Sequence, residues 1–322
     1  MYFMRLSATI LLLLLLVAVP PCWAGGDDLY TRMQAASLEV LVDGKLVGSG
    51  WFVSPGGVGL TAAHLVRSGG KLEVISTDFG RMRARLVAID LGRDIAVFHV
   101  KRSLKAFSFL QIAAKMPVAG QKLYLFGAPL FRHGIMISGE VAKPQTQFEW
   151  NNRNGCYTEV FPVSAMTPEG FSGAPWVDAE GKVLGLQSGL MAWKGAPMGI
   201  AFMSPLQGVS KLLADKKDEI TVSLGAMLAE PWEQPVGLDS RNGFASEGII
   251  VQQTFSGGSL TNAGISRGDA LLALDGEKLM SRDELIQRVR SYQPWAEVLF
   301  SVGRKLGEIE EIPVVLIPRE KF

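Results

Sequence analysis

Apolar and polar positions along most of this chain alternate in short runs, where a helical protein would show them recurring at every third or fourth position. Leu38-Glu39-Val40-Leu41-Val42 and Lys45-Leu46-Val47 flank Asp43-Gly44, and an Asp-Gly pair between two such runs predicts a tight hairpin. Further strands are predicted over 71–76, 82–89, 95–100, 122–126, 135–141, 157–163 and 183–187, each punctuated by Gly or Pro. Many short strands of this kind predict a mainly β fold, a sandwich or paired barrels. The period changes after Met203. Ser204-Pro205 reads as an N-cap followed by Pro at the first helical position, and Val209, Leu212 and Leu213 continue an apolar stripe to about Lys217. A domain boundary is expected after that helix, dividing residues 25–220 from 221–322. In the second segment, Ser281-x-x-Glu284 forms a capping box ahead of Leu285, Ile286 and Val289, and strands are predicted over 297–302 and 308–317.

Residues 1–24 follow a different pattern. Arg5 precedes an unbroken apolar run from Leu6 to Val19, and Cys22-Trp23-Ala24 supplies a cleavage site before Gly25, which reads as a secretory signal peptide. The run is short of the roughly 20 residues a membrane-spanning helix needs. Two other readings stay open: an uncleaved anchor giving membrane association through the N-terminus, and a lipid attached at Cys22, against which Pro21 argues. Export implies a periplasmic or secreted protein.

Composition changes the picture in three places. The 322 residues suggest about two domains and enough core to fold without staples. Removal of the leader leaves Cys156 as the one cysteine, so no intrachain disulfide can form and a buried or half-buried thiol is expected. A net charge of +1 without a long basic block offers no electrostatic footprint for nucleic acid. Arg81, Arg83 and Arg85 alternate, which on a strand puts three cations on one solvated face.

Chemistry concentrates at Pro168-Glu169-Gly170-Phe171-Ser172-Gly173-Ala174-Pro175. A serine between glycines suits a nucleophile whose neighbouring N–H groups must face a substrate carbonyl, because glycine permits a tight turn close to the substrate. Alone, such a motif is an ordinary turn more often than a site. A serine nucleophile also needs a base, and the chain has three histidines: His64 after Thr61-Ala62-Ala63, His99 within an apolar strand, and His133 in a loop. The base in turn needs a carboxylate on its other nitrogen. Asp94, just before the 95–100 strand, is the candidate and Asp90 its rival.

The order of these segments, with Thr61-Ala62-Ala63-His64, Asp90-Leu91-Gly92-Arg93-Asp94-Ile95-Ala96-Val97, Gly170-Phe171-Ser172-Gly173-Ala174-Pro175 and Gly199-Ile200-Ala201-Phe202, resembles the chymotrypsin-fold serine proteases and most closely the high-temperature-requirement (HtrA/DegP) family. The resemblance runs from about Ser37 to Pro318. It implies a two-barrel trypsin-like domain with His64 as general base, Asp94 as its orienter, Ser172 as nucleophile, and the N–H groups of Gly170 and Ser172 as oxyanion hole. It makes Asp90 a turn residue outside the triad. Met166, Gln187, Ser188, Gly189 and Leu190 would then line the primary substrate pocket; none is acidic, so a small or medium apolar side chain is expected there rather than Lys or Arg. Glu169 is expected to face solvent. Phe171 and Ala174 depart from the family pattern, and Phe171 could alter the turn or occlude the cleft.

Gly248-Ile249-Ile250-Val251, the 257–265 stretch and Gly268-Asp269-Ala270-Leu271-Leu272-Ala273-Leu274-Asp275-Gly276 resemble a circularly permuted α+β PDZ domain. Ser223, Leu224, Gly225 and Ala226 stand where that family holds a peptide's terminal carboxylate. The resemblance implies an exported endopeptidase, without cofactor or metal, that cleaves unfolded polypeptides, recruits exposed C-termini and assembles as a homotrimer through N-terminal segments around Tyr30. Two alternatives remain open: a catalytically silent scaffold or holdase, and a PDZ domain that only packs on the protease.

Overall fold

The computed structural model describes residues 26–101, 104–233, 248–304 and 307–319. The leader, with Cys22 and its three readings, lies outside the described residues. Helix α1 (Gly26–Ala36) leads into a barrel of six strands: β1 (Ser37–Val42), β2 (Lys45–Phe52), β3 (Val58–Ala62), β4 (Leu72–Ser76), β5 (Gly80–Asp90) and β6 (Ile95–Val100), closed in the order β1-β2-β3-β6-β5-β4. The β1–β2 turn has Asp43 and Gly44 both at positive φ, 50° and 78°, the pair of left-handed residues that a two-residue hairpin of matching twist requires. Alternation works as predicted: the barrel fills with Val40, Trp51, Leu60, Val74, Ala96 and Phe98, while Arg81, Arg83 and Arg85 stand on the outer face of β5. Burying a side chain the size of Phe98 stabilises the fold by about 1.5–3 kcal/mol.

The second sheet comprises β7 (Lys122–Gly127), β8 (Ile135–Val141), β9 (Gln147–Asn151), β10 (Cys156–Ser164), β11 (Pro175–Val177), β12 (Val183–Trp193) and β13 (Ala196–Pro205). Its order is β13-β12-β11-β7-β8-β10-β9, and an extra β13–β10 pairing closes six of the strands into a second barrel. Strand β9 is left outside, paired only with the start of β10, so that β9 and β10 form a hairpin projecting from the barrel. Two closed barrels with a cleft between them are the chymotrypsin-like architecture.

The helix near 209 is real but begins later than its sequence suggests. Ser204 and Pro205 finish β13, paired with Leu186 and Gly185, and the helix α2 that carries His64 (Ala63–Val66) is followed in the chain by α3 (Val209–Asp215), capped at Gly208 with φ 78°. The strand continues because Ser204 is fully buried against β12, and that burial outweighs the local capping preference.

From Thr221 the chain builds two further sheets, one of six strands and one of two. Strands β14 (Thr221–Ser223), β15 (Ala226–Ala229), β16 (Ile249–Thr254), β17 (Ala270–Leu274), β18 (Glu277–Lys278), β19 (Glu297–Gly303), β20 (Ile309–Val315) and β21 (Ile317–Arg319) alternate with helices α4 (Ser259–Asn262) and α5 (Arg282–Ser291). The larger sheet runs β15-β16-β17-β19-β20, and β14 pairs with β21, bringing the two ends of the segment together. Helix α5 is capped as predicted, with Ser281 Oγ accepting the Glu284 N–H at 3.1 Å. The Glu284 carboxylate closes the box one residue earlier than usual, on the N–H of Met280.

The β9–β10 hairpin joins these parts. Phe148 and Tyr157 leave the barrel and bury themselves in the C-terminal core with Leu224, Ala226, Leu228, Ile286 and Val289. Tyr157 Oη accepts the Leu228 N–H at 2.8 Å and donates to the Leu228 carbonyl at 3.1 Å, occupying both backbone groups on the free side of β15.

Candidate active site

The site forms where α2, the β5–β6 turn and the loop ahead of β11 converge. Helix α2 is too short to stand alone, and its side chain His64 is fixed by Asp94 on two fronts. Asp94 Oδ1 accepts the His64 backbone N–H at 2.8 Å, and Oδ2 lies 2.7 Å from His64 Nδ1. Asp94 adopts φ 56°, and its own carbonyl accepts the Ala63 N–H at 3.0 Å. A residue at positive φ between two strands turns the chain sharply enough for side chain and carbonyl to reach the same helix.

The carboxylate has no solvent exposure. Ser188 Oγ donates to Oδ2 at 2.6 Å and Asn154 Nδ2 to Oδ1 at 2.9 Å, so four donors surround it. Burial pushes the Asp94 pKa up, but the His64 charge and the hydrogen bonds from His64, Ser188 and Asn154 outweigh it and hold the group below the usual carboxylate range. Asp90, the rival, is committed elsewhere: it accepts Arg93 N at 3.0 Å and Arg93 Nη1 at 2.9 Å. His99 lies half-buried on β6 and His133 pairs with Glu39, away from Asp94.

Ser172 and His64 line one cleft of about 540 Å³. Among the described residues no hydrogen bond joins their side chains. The serine loop is clamped from both barrels instead: Ser49 N of the first barrel donates to the Ser172 carbonyl at 2.8 Å and Ser49 Oγ to the Gly170 carbonyl at 2.9 Å, while Leu130 N of the second donates to the Glu169 carbonyl at 2.9 Å. Every carbonyl from 169 to 172 is thereby taken, that of Phe171 by Ala174 N–H. The N–H groups of Gly170 and Ser172 make no hydrogen bond among the described residues. Carbonyls turned into the protein with N–H groups left over is the arrangement an oxyanion hole needs. Gly173, with φ 86°, cannot be replaced: a Cβ there would lie 2.1 Å from the Ser49 carbonyl.

Phe171 does not occlude the cleft. Its ring is 1 % exposed and packs into the second barrel's core beside Trp176 and Ala174, filling the space over Gly127. Ser188, Gly189 and Leu190 line the cleft as expected, together with Gln187, Thr167 and Phe202, although the Ser188 hydroxyl is turned to Asp94. Met166 does not line it. This side chain is 59 % exposed, in a segment past the end of β10 along which exposure alternates, Ala165 and Thr167 being buried and Met166 and Pro168 exposed. Glu169 is exposed at the rim, and Glu149 of β9 brings a second carboxyl to the cleft, its pKa raised by burial against a hydrogen bond from Gln147.

Sequence reasoning missed Ser49 and Asn154. Ser49 sits in a Gly-Ser-Gly run that reads as a loop, and Asn154 in Asn151-Asn152-Arg153-Asn154-Gly155, which reads as a solvated turn; Asn154 is fully buried. Cys156 is buried as expected, and burial raises its thiol to about 11. Ser223, Leu224, Gly225 and Ala226 form the turn between β14 and β15, with Leu224 and Ala226 buried and Gly225 N–H directed to Ser223 Oγ at 3.2 Å.

Residues 48–186 match the trypsin-like peptidase domain family, a span that contains His64, Asp94 and Ser172. A probable periplasmic serine endoprotease, DegP-like, from Bartonella henselae is 27% identical over 298 residues, covering 90% of this chain and 58% of the relative. A protein of the same description from Rhizobium meliloti is 28% identical over 269 residues, covering 82% of this chain and 52% of its own length. The chain thus spans little more than half the length of these relatives. Among solved structures, the HtrA-type protease AlgW with a decapeptide superposes with a TM-score of 0.63 at 19% identity, over 91% of this chain and 98% of that one. The serine endoprotease from Yersinia pestis gives 0.59 at 19% identity, over 90% and 98%.

Proposed function

We propose that this chain, which is similar in sequence to DegP-like serine endoproteases and in fold to HtrA-type proteases, is an exported serine endopeptidase cleaving unfolded polypeptides through Ser172, His64 and Asp94. One observation carries this reading: Asp94 is buried with four donors around it, one of them the ring of the His64 that shares a cleft with Ser172. His64 takes the Ser172 proton as the hydroxyl attacks the scissile carbonyl. Asp94 keeps Nδ1 protonated, so that Nε2 is the basic nitrogen, and stabilises the imidazolium. The N–H groups of Gly170 and Ser172 receive the oxyanion. His64 then protonates the leaving amine, and a water repeats the sequence to free the acyl group.

Gln187, Gly189, Leu190 and Phe202 make the wall of the primary pocket, which favours small or medium apolar side chains. The C-terminal segment is read as a PDZ domain whose Ser223–Ala226 turn holds a peptide carboxylate. Periplasmic location and a homotrimer through the α1 region complete the proposal. Within one chain, Tyr30 donates to the Gly134 carbonyl at 2.9 Å and sets its ring edge-on to Phe126 at 5.3 Å.

A second reading, a silent scaffold acting through partner binding, draws on the missing hydrogen bond between Ser172 and His64. Such contacts in unliganded enzymes are often long and tighten on substrate, so the contact alone does not decide. Casein hydrolysis does: Ser172→Ala is expected to lower it by about a thousandfold or more with an unchanged melting temperature, and hydrolysis persisting in that variant overturns the assignment.

A further inference from the structure

Asn154 is a buried amide with an unusual position. It stands in the turn of the β9–β10 hairpin, far in sequence from His64 and Asp94, with no solvent exposure. Its side chain meets two acceptors, Asp94 Oδ1 at 2.9 Å and the Leu91 carbonyl at 3.3 Å. Only an NH2 group can face two acceptors, so the amide orientation is fixed by chemistry. Its other end, Oδ1, is buried without a partner among the described residues, a cost that accompanies the amide's direction toward Asp94.

The C-terminal segment grips the turn that carries this amide. Arg319 Nε of β21 donates to the Asn154 carbonyl at 3.0 Å, and the same guanidinium packs over Gly155, where a Cβ would come within 2.6 Å of it. Arg290 of α5 donates to the carbonyls of both Tyr157 and Gly92, tying β10 to the turn that holds Asp94. Tyr157 is anchored on Leu228 as described above. The ionisable groups near Asp94 are His64, Arg67 and the buried Cys156 thiol. Oδ1 already accepts the His64 backbone N–H, and the Asn154 amide supplies its second donor.

We infer that Asn154 is a positioning residue of the triad carboxylate, held in place by a hairpin that the C-terminal segment grips. The inference rests on the serine-protease reading. By filling one lone pair of Oδ1, the amide fixes the Asp94 carboxylate in the plane that meets His64 Nδ1. It also draws off part of the charge that the imidazolium would otherwise attract. Losing the amide leaves the carboxylate freer to rotate and more strongly basic, which tightens its hold on the Nδ1 proton of His64.

The test compares wild type, Asn154→Ala and Tyr157→Phe, each as the full mature chain, by fluorophosphonate labelling rate and peptidase kinetics across pH. Asn154→Ala is expected to lower kcat about tenfold or more with KM unchanged, the scale of one charge-assisted hydrogen bond, and to move the acid limb of kcat/KM to higher pH. The downfield proton resonance of His64 Nδ1 should shift with it. Should Asn154→Ala not fold, Tyr157→Phe carries the test. It touches no triad residue, loosens the hairpin only at Leu228, and is expected to lower the labelling rate several-fold and shift the same resonance. Labelling, pH profile and resonance all at wild-type values, in Asn154→Ala or, where that does not fold, in Tyr157→Phe, overturn the inference while the protease reading stands. An unlabelled wild type overturns both.

Discussion

Two concave regions of this molecule treat their backbone hydrogen bonds in opposite ways. In the cleft between the barrels, the carbonyls of 169–172 are tied down and the N–H groups of Gly170 and Ser172 have no partner among the described residues. Beside β15, both backbone groups of Leu228 are taken by Tyr157, and Phe148 fills the apolar space against α5. The first region is preorganised for a visitor; the second already holds one, a hairpin of the same chain. Occupancy there has a purpose if that hairpin supports the triad through Asn154. On the proposed PDZ reading, a peptide adding to β15 would have to compete with Tyr157, so its apparent affinity would be lowered according to the fraction of molecules in which the hairpin has left.

The largest expected effect tests the first region. Asp94→Asn keeps the shape but turns a donor toward His64 Nδ1, stabilising the wrong tautomer, and activity should fall on the order of a thousandfold or more at neutral pH. Near-normal kcat in Asp94→Asn would mean that the His64–Asp94 contact is structural only.

A smaller effect tests the second region. Tyr157→Ala should destabilise the protein by about 3 kcal/mol in urea unfolding, as expected for emptying a buried aromatic site. It should also bind a hydrophobic C-terminal peptide at least tenfold more tightly by fluorescence anisotropy. Unchanged peptide affinity would show that the groove is not the peptide's site.

The smallest concerns the thiol between the two regions. Burial raises Cys156 from 9.0 to about 11, so its folded pKa lies above the unfolded one. Its contribution to stability is therefore fully present below about pH 9 and is lost as pH rises through about 11. At pH 8 a thiol reagent should modify Cys156 no faster than the chain unfolds, and rapid modification of the native protein would contradict this burial.

The same contrast explains what could be read in the sequence. The Asp43-Gly44 turn, the Arg81-Arg83-Arg85 face and the Ser281 cap depend on neighbours a few positions apart, and local pattern carried them. His64, Asp94 and Ser172 each sit in a distinctive segment, and the fold brings His64 onto Asp94 and into one cleft with Ser172. Asn154 and Ser49 act through partners supplied by folding, and their Asn-rich and Gly-rich surroundings look like any exposed turn. Ser204-Pro205 was misread for a related reason: its capping chemistry is sound, yet pairing with β12 keeps it in a strand. Met166 was assigned to the pocket by its distance from Ser172 along the chain, whereas in the loop that follows β10 it is exposed and the neighbouring Thr167 lines the cleft.

The most direct measurement is fluorophosphonate labelling of the mature chain, with the adduct located by mass spectrometry. A single adduct on Ser172, absent in Asp94→Asn over the same time, is the result predicted for an assembled triad. No adduct on Ser172, or one that forms equally fast without the Asp94 carboxylate, would contradict it.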